Sequence, residues 1–258
     1  MQNLKVALVQ TDLAWHDIEA NIARFETLLA PLAGNADLVA LPEMFSTGFT
    51  MTPWEVSEGM DGRAAAGLRR WARSLGAHVA GSAVIAEAGR YFNRLLWARP
   101  DGTISHYDKR HLFRMAGEDA VYAPGTRAPV METAGWRIHP FICYDLRFPV
   151  WSRNVANAYD VALYVANWPA KRAHHWRALL AARAIENQCY VVGVNRVGTD
   201  GNGVAYCGDS MVIDFSGEIP LDAGDAEGVH VLELSYERLS EYRRSFPAWK
   251  DADPFTLG

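Results

Sequence analysis

The segment HPFICYDLRFP, residues 139–149, determines how the rest of the chain is interpreted, because its apolar run ends abruptly at Cys143. Pro149 prevents a strand from continuing, since proline has no N–H to donate to a sheet. A strand that ends in a sharp turn exposes its last side chain at the rim of a sheet, where thiolate chemistry needs it. A lone cysteine is most often a small buried hydrophobic residue. The interpretation of Cys143 as a reactive thiol therefore depends on residues elsewhere in the chain.

Two further apolar runs end at a charged residue in a similar way. Residues 36–41 (ADLVAL) predict a short buried strand that a proline stops just before Glu43. Residues 103–107 alternate like a strand and lead to Lys109. Taken singly, these two charges would be ordinary loop residues. Because ligands usually bind in the crevice beyond strand ends of open sheets, the two charges and Cys143 form a possible base, cation and nucleophile.

Short strands alternate with amphipathic helices along the whole chain, which predicts an α/β protein. Strands are expected at residues 5–10, 36–41, 78–85, 92–98, 103–107, 136–142, 161–165, 190–194, 211–215, 219–221 and 230–234. Helices are expected at residues 18–33, 63–75 and 174–187. Pro100-Asp101-Gly102 lies between two of these strands and predicts a hairpin. No linker, repeat or low-complexity segment interrupts the pattern, so a single domain over 1–258 is expected.

The composition of the chain argues against several classes of partner and indicates the type of cellular compartment. The 258 residues are 50% hydrophobic with nine tryptophans and a formal net charge of −5, which predicts a packed globule. No run of Lys and Arg exceeds two residues, so nucleic acid and anionic membranes are poor partners. No apolar stretch approaches the ~20 residues that span a bilayer, and the first strand begins too early for a signal peptide. Three cysteines without metal-like spacing suit a reducing cytoplasm.

Three segments resemble, in order, the signatures of the nitrilase superfamily of carbon–nitrogen hydrolases: LVALPEMFSTG, YDKRHLF and ICYDLRFP. The resemblance extends from KVALVQTDLAW at Lys5 to EYRRSFPAWKD near Asp251. The continuations YVANWPA, ARAIENQCYV, NRVGTDGNG and GDSMVIDFSGEI are most similar to the omega-amidase branch. The resemblance implies a four-layer α-β-β-α sandwich that dimerises into a larger sandwich. It also implies a Glu–Lys–Cys triad at Glu43, Lys109 and Cys143.

This triad implies acyl transfer to a thiol. A free cysteine has a pKa of roughly 8.5, and Lys109 would favour its thiolate while a charged Glu43 would oppose it. We therefore expect Glu43 to take the thiol proton as Cys143 attacks a carbonyl carbon, to donate it to the departing nitrogen, and then to activate water. Lys109 and the backbone N–H of Tyr144 would hold the oxyanion. No metal or organic cofactor is required.

Several further residues are candidates for supporting roles. Glu118 matches by position a second glutamate that orients the lysine and substrate in many family members, although a plain loop charge fits equally well. Trp168 ends the next strand and is expected to line the pocket or to belong to the core. Arg172 begins the following helix and could bind a substrate carboxylate, although a solvated surface arginine is the simpler interpretation. Asp145 and Arg147 are expected to form ion pairs that hold the turn after Cys143.

Three classes of function remain open. The omega-amidase resemblance implies an amidase that releases ammonia from a small dicarboxylate omega-amide such as 2-oxoglutaramate or 2-oxosuccinamate. The same triad could instead act on a nitrile or an N-carbamoyl group. A non-catalytic binding or redox-sensing protein is the third class, and the intact triad disfavours it. The resemblance further implies a homodimer, formed through the elements after Cys143 and through a C-terminal segment with Phe246 and Trp249.

Overall fold

Two six-stranded sheets packed face to face form the body of the protein. The computed structural model describes residues 2–256, so Met1, Leu257 and Gly258 of the expected domain 1–258 lie outside the described residues. The strands are β1 (Leu4–Gln10), β2 (Leu38–Ala40), β3 (His78–Glu87), β4 (Arg90–Ala98), β5 (Ile104–Asp108), β6 (Met131–Thr133), β7 (Trp136–Ile142), β8 (Val161–Val165), β9 (Tyr190–Val194), β10 (Val197–Thr199), β11 (Ala205–Cys207), β12 (Met211–Ile213), β13 (Leu221–Asp222) and β14 (Gly228–Leu234). The helices are α1 (Ile18–Leu29), α2 (Pro53–Val56), α3 (Arg63–Leu75), α4 (Glu118–Val121), α5 (Ala173–Asn187) and α6 (Tyr236–Ser245).

The direction of the strands determines which of them end at the same rim. The first sheet has the order β14-β1-β2-β3-β4-β5, the second has the order β13-β12-β9-β8-β7-β6, and β10 pairs with β11 separately. In the first sheet β3 is parallel to β2, β4 is antiparallel to β3, and β5 is antiparallel to β4. β5 therefore runs in the same direction as β2. In the second sheet β7, β8 and β9 are parallel. The carboxyl ends of β2 and β5 therefore share one rim, and those of β7 and β8 share another.

Alternate residues of a strand face two different cores, as a side-chain period of two requires. In β1, Leu4, Val6 and Leu8 pack between the two sheets, whereas Ala7 and Val9 pack in the core that includes residues of α1 and α3. The outer face of the second sheet packs against α5. These layers form an α-β-β-α sandwich, which confirms the expected fold class. Burial of both faces explains why the strands are nearly continuous apolar runs in the sequence.

The structure corrects several predicted bounds. α1 ends at Leu29 instead of residue 33, because a 3₁₀ turn containing Pro31 follows and proline cannot donate the next helical hydrogen bond. α6 escapes prediction because Leu239 is its one buried residue, so no apolar stripe marks it. The short elements β6, β10, β11, α2 and α4 escape prediction because three or four residues carry no periodicity. The hairpin predicted at Pro100-Asp101-Gly102 is confirmed by the pairing of β4 with β5.

Candidate active site

Glu43, Lys109 and Cys143 follow three different strands and meet where the rims of the two sheets face each other. Glu43 follows β2, Lys109 follows β5 and Cys143 follows β7. Nζ of Lys109 lies 2.8 Å from Oε1 of Glu43, and both side chains are buried. Cys143 and Lys109 line one cavity of about 480 Å³, a volume suited to a small molecule. The structure thus brings together the three residues that the sequence predicts.

Cys143 occupies a strained turn directly after β7. Its φ is +43°, in the left-handed region that non-glycine residues rarely adopt, and it begins a short 3₁₀ turn. The buried carboxylate of Asp145 holds this turn. One of its oxygens accepts the N–H of Ile142 at 3.0 Å and the hydroxyl of Tyr107 at 2.7 Å, and the other accepts the N–H of His111 at 3.0 Å. The turn places the thiol beyond the end of the strand, where a ligand in the cavity can reach it.

Of the two residues that are expected to hold the turn by ion pairs, only Asp145 holds it. Besides its hydrogen bonds, Asp145 lies 2.8 Å from Nδ1 of His111, a contact that becomes an ion pair when the histidine is protonated. Arg147 lines the cavity, with its guanidinium 4.8 Å from the ring centroid of Trp168 and its Nη2 3.0 Å from Nδ1 of His175. Because a 3₁₀ turn has three residues per turn, side chains two positions apart point to different sides. The prediction for Arg147 is therefore wrong, and the structure places this cation at the cavity wall.

The carboxylate of Glu43 is fixed by three N–H donors. Nδ2 of Asn93 and Nζ of Lys109 each donate to Oε1 at 2.8 Å, and the backbone N–H of Asn167 donates to Oε2 at 2.8 Å. Asn93 is itself oriented by Ser82, whose hydroxyl donates to its Oδ1 at 2.8 Å. A carboxylate held from three sides keeps one orientation, as a general base in this position requires.

Glu118 is a buried partner of Lys109 and is not a plain loop charge. Its two oxygens lie 3.0 and 2.9 Å from Nζ of Lys109, and one of them accepts the N–H of Phe113 at 2.6 Å. Burial alone would lower the pKa of Lys109, but the charges of Glu118 and Glu43 outweigh it and the pKa is raised. Burial raises the pKa of Glu118. The charge of Lys109 lowers this pKa, and the charge of Glu43 raises it further. The lysine therefore stays protonated between two carboxyl groups.

The thiol of Cys143 is protonated at rest. Its pKa is raised well above the usual value, first by burial and then by the charge of Glu43, while Lys109 acts in the opposite direction. A protonated thiol is a poor nucleophile and needs a base at the moment of attack. Glu43 raises the pKa of this thiol both by its charge and by a side-chain hydrogen bond, so its carboxylate lies beside the sulfur.

Tyr144, Trp168 and Arg172, which are expected to contact the substrate, all line the cavity. The indole N–H of Trp168, a buried residue, donates to the backbone oxygen of Arg172 at 2.8 Å. The guanidinium of Arg172 lies 5.4 Å from the ring centroid of Phe113, and no carboxylate within residues 2–256 pairs with it. The same wall contains other aromatic and cationic side chains, including Trp15, Phe49, Lys171 and Tyr206.

Asn93 and Asn167 belong to the site but escape prediction from the sequence. Asn167 follows the strand β8, so the logic that selects the triad could have selected it as well. Asn93 lies inside β4. The only sequence feature that could indicate its role is that it is a polar residue within the apolar run of that strand. Such a residue can face either solvent or the interior, and only the packing of the sheets decides between the two.

Two classes of feature are absent from residues 2–256. No group of three or more His, Cys, Asp and Glu side chains is arranged to hold a metal ion. No helix has both the length and the apolar character that crossing a bilayer demands.

The layered fold, with a thiol and a lysine lining one cavity and two carboxyl groups buried against the lysine, fits a hydrolase acting on carbon–nitrogen bonds. The sequence model of the family described as Carbon-nitrogen hydrolase matches residues 5–244, and the chain belongs to this family. This match confirms the resemblance to the nitrilase superfamily.

Three related proteins illustrate the similarity. The chain is 50% identical to the omega-amidase YafV of Escherichia coli K12, over 100% of both chains. It is 32% identical to the 2-oxoglutaramate amidase of Bacillus subtilis, over 95% of this chain and 96% of that one. The crystal structure of XC1258 from Xanthomonas campestris, a CN-hydrolase superfamily protein with an arsenic adduct in its active site, is 47% identical with a TM-score of 0.98, over 100% of both chains. The resemblance to the omega-amidase branch is confirmed by the two amidases among these relatives.

Proposed function

We propose that this protein is a thiol-dependent amidase that hydrolyses the terminal amide of a small dicarboxylate omega-amide, of the 2-oxoglutaramate or 2-oxosuccinamate type. The observation that carries the proposal is the buried contact of 2.8 Å between Lys109 and Glu43 beside the cavity that Cys143 lines. The names of the relatives at 50% and 32% identity support the choice of an omega-amide as substrate.

The first half of the reaction forms a thioester. Glu43 removes the proton of the Cys143 thiol as the sulfur attacks the amide carbon, since the raised pKa of the thiol leaves that proton in place until then. Nζ of Lys109 and the backbone N–H of Tyr144 donate to the oxyanion. Glu43 then gives the proton to the nitrogen, the carbon–nitrogen bond breaks and ammonia leaves.

The second half of the reaction restores the thiol. Water enters the space that ammonia has left, and Glu43 removes a proton from it as its oxygen attacks the thioester carbon. The proton returns to the sulfur of Cys143 as the carbon–sulfur bond breaks and the acid leaves. Glu118 keeps Lys109 in place throughout, through its two contacts of 3.0 and 2.9 Å.

A substrate carboxylate would find cations in the cavity wall. Arg147, Lys171 and Arg172 line the cavity, and within residues 2–256 none of the three pairs with a carboxylate. Asp200 is the acidic residue among the lining side chains of the described chain. This excess of positive charge favours an anionic substrate over a neutral one, and Arg172 is the first candidate for the contact.

Ammonia release from a matched panel of compounds tests the proposal. The panel contains 2-oxoglutaramate, a neutral amide of similar length, the corresponding nitrile and an N-carbamoyl compound. We expect 2-oxoglutaramate to be hydrolysed with the highest kcat/KM. A preference for the nitrile or the N-carbamoyl compound would assign the triad to that bond instead. Release from none of them would favour the non-catalytic class.

We further propose that residues 1–258 form one domain that dimerises in the cytoplasm. One core between the sheets joins strands from both halves of the chain, which supports a single domain.

Val150 and Val155 after the thiol turn are each 56% exposed, and Phe246 near the C-terminus is 57% exposed, which supports an apolar contact between the subunits of a dimer there. All three cysteines are free, as in a reducing compartment. A single species of 28.6 kDa in sedimentation would contradict the dimer.

A further inference from the structure

Two buried polar residues of the first sheet form a short chain of hydrogen bonds that ends on the carboxyl groups of the site. Ser82 lies in β3 and Asn93 lies in β4, and both are fully buried. The hydroxyl of Ser82 donates to Oδ1 of Asn93 at 2.8 Å. Nδ2 of Asn93 donates to Oε1 of Glu43 at 2.8 Å and to Oε1 of Glu118 at 3.2 Å. One amide group therefore contacts both carboxyl groups.

The direction of this chain of hydrogen bonds follows from the chemistry of its members. A carboxylate oxygen only accepts, so the side of the Asn93 amide that faces Glu43 and Glu118 must be its NH₂ group. The amide oxygen then faces Ser82, whose hydroxyl must donate to it. Oγ of Ser82 in turn accepts the N–H of Met44 at 2.8 Å, and Met44 directly follows Glu43 with a φ of +43°. Ser82 thus contacts both the turn after Glu43 and the amide that orients its carboxylate.

The two carboxyl groups differ in how many of their acceptor positions are filled. A carboxylate offers about four such positions. Asn93 and Phe113 each donate once to Glu118, at 3.2 and 2.6 Å. Nζ of Lys109 donates to both oxygens of Glu118, at 3.0 and 2.9 Å, so its four positions are filled. Within residues 2–256, Glu43 receives two donors on Oε1 and one on Oε2, which leaves one position open.

We propose that Ser82 and Asn93 are positioning residues that direct the thiol proton to Glu43. They do so by filling the last acceptor position of Glu118. The inference rests on the proposed amidase function and explains how the site selects between two buried carboxyl groups.

The proton moves as the sulfur attacks. The S–H bond of Cys143 breaks, its electron pair forms the sulfur–carbon bond, and the carbonyl electron pair moves to the oxygen. Glu43 lies beside the sulfur and takes the proton at its open position. Glu118 can hold a proton only if it gives up one of its four donors.

Burial makes this control necessary. It raises the pKa of Glu118, an effect that the charge of Lys109 opposes and that of Glu43 reinforces. Hydrogen bonds to the charged form of a carboxyl group lower its pKa. Loss of the donor that Asn93 supplies should therefore allow Glu118 to hold a proton at a higher pH than in the wild type.

The other titratable groups that face Glu118 keep their charge state near neutral pH. Burial and the charge of Glu118 raise the pKa of Tyr122, and burial and Glu43 raise that of Cys143. The pKa of Lys109 is also raised, because its two carboxylate neighbours outweigh the effect of burial. A change of protonation in this cluster near neutral pH therefore belongs to one of the two carboxyl groups.

Infrared difference spectra recorded against pH test the inference, because a protonated carboxyl group has a carbonyl band that a carboxylate lacks. The wild type, Ser82→Ala and Asn93→Ala are each compared with a counterpart that also carries Glu118→Gln, so the band of Glu118 is identified by its loss. We expect the pH midpoint of this band to rise by about one pH unit or more in both variants. This is the effect of one hydrogen bond to a charged group.

Steady-state kinetics with succinamate give a second readout. Ser82 and Asn93 do not line the cavity, so KM should stay near that of the wild type. kcat should fall at least about tenfold in both variants, because the carboxyl groups lose a hydrogen bond made to a charged group. A proton on Glu118 also removes the charge that holds Lys109. The fall of kcat toward acid pH should therefore begin at a higher pH, by the same amount as the infrared midpoint.

Ser210→Ala is the matched control. Ser210 is fully buried, and its hydroxyl accepts the N–H of Asn195 at 2.9 Å and donates to the oxygen of Asn195 at 3.2 Å. The same loss of a buried hydroxyl should leave the midpoint of Glu118 unchanged here. An unshifted midpoint in both Ser82→Ala and Asn93→Ala, or an equal shift in Ser210→Ala, would overturn the proposal. Absence of ammonia from succinamate with the wild type would instead overturn the amidase function and leave the infrared result standing.

Neutron diffraction from crystals of the wild type provides a test that needs no substitution. At neutral pH we expect both deuterons of the Asn93 amide to face Glu43 and Glu118, and no deuteron on either oxygen of Glu118. A deuteron on Glu118, or the amide oxygen of Asn93 facing Glu43, would overturn the assignment.

Discussion

Replacing Lys109 with methionine tests whether its charge is what allows two carboxyl groups to share a buried site. Glu43 and Glu118 are fully buried, and Nζ of Lys109 lies 2.8 Å from the first and 2.9 Å from the nearer oxygen of the second. Methionine has a similar length and no charge. In Lys109→Met the two carboxyl groups face each other without a cation, still joined by the amide of Asn93.

The expected loss is large in both stability and turnover. Removing one partner of a buried ion pair costs roughly 3–5 kcal/mol, because the remaining charge is left uncompensated. Turnover should fall by at least ~10²-fold, the usual effect of losing an oxyanion donor. The double variant Lys109→Met/Glu118→Gln leaves a single buried carboxyl group, so it should recover part of the stability while remaining as inactive as Lys109→Met.

The stability loss of Lys109→Met should depend on pH in a defined direction. The pKa of Glu118 is already raised by burial, and Lys109 is the group that opposes this rise. Without Lys109 the folded state holds a proton on one carboxyl group that the unfolded state releases. Relative to the wild type, the variant is therefore most stable at mildly acid pH, and this contribution is lost as the pH rises through the folded-state pKa. Chemical denaturation at mildly acid and mildly alkaline pH measures this, and an equal deficit at both, or no recovery in the double variant, would refute the electrostatic reasoning.

Three further predictions concern the proposed roles of the site residues. Cys143→Ala should abolish ammonia release and preserve the circular dichroism of the wild type, whereas Cys207→Ala should retain activity; substantial turnover by Cys143→Ala would exclude it as nucleophile. Glu43→Gln and Lys109→Ala should each cost at least ~10²-fold in kcat, and the double variant should be scarcely worse than the poorer single one, since residues that act in one step are not additive. Arg172→Ala should weaken anionic amides by about 2–5 kcal/mol in kcat/KM and leave neutral amides almost unchanged; an equal loss on both would show that Arg172 is structural.

The sequence predicts the position of the triad well because it predicts where strands end. Glu43, Lys109 and Cys143 each follow an apolar run, and such runs are visible without any tertiary information. β5 also ends at the same rim as β2, because the two antiparallel pairings between β3 and β5 restore the direction of the chain. The sequence pattern predicts the strands, and the sheet topology then brings their ends together.

The surroundings of the triad are harder to predict because they depend on how side chains pack. Whether Asn93 faces the interior is decided by the register of β4 against β3, which brings it within reach of Ser82. The side of the thiol turn on which Arg147 emerges depends on the 3₁₀ geometry that begins at Cys143. The burial of Glu118 depends on its contact with Lys109, and a short charged segment in a sequence does not reveal such a contact.

Both sheets set the geometry of the site, because Glu43 and Lys109 follow strands of one sheet and Cys143 follows a strand of the other. Tyr107 of β5, two residues before Lys109, donates its hydroxyl at 2.7 Å to the Asp145 carboxylate that holds the turn of Cys143. Burial and the charge of Asp145 raise the pKa of Tyr107 well above its usual value, so this hydroxyl remains a donor. Tyr107 also packs in the core between the sheets. The same residue therefore links the strand that supplies Lys109 to the turn that supplies Cys143, and the inter-sheet core fixes the spacing of the two groups.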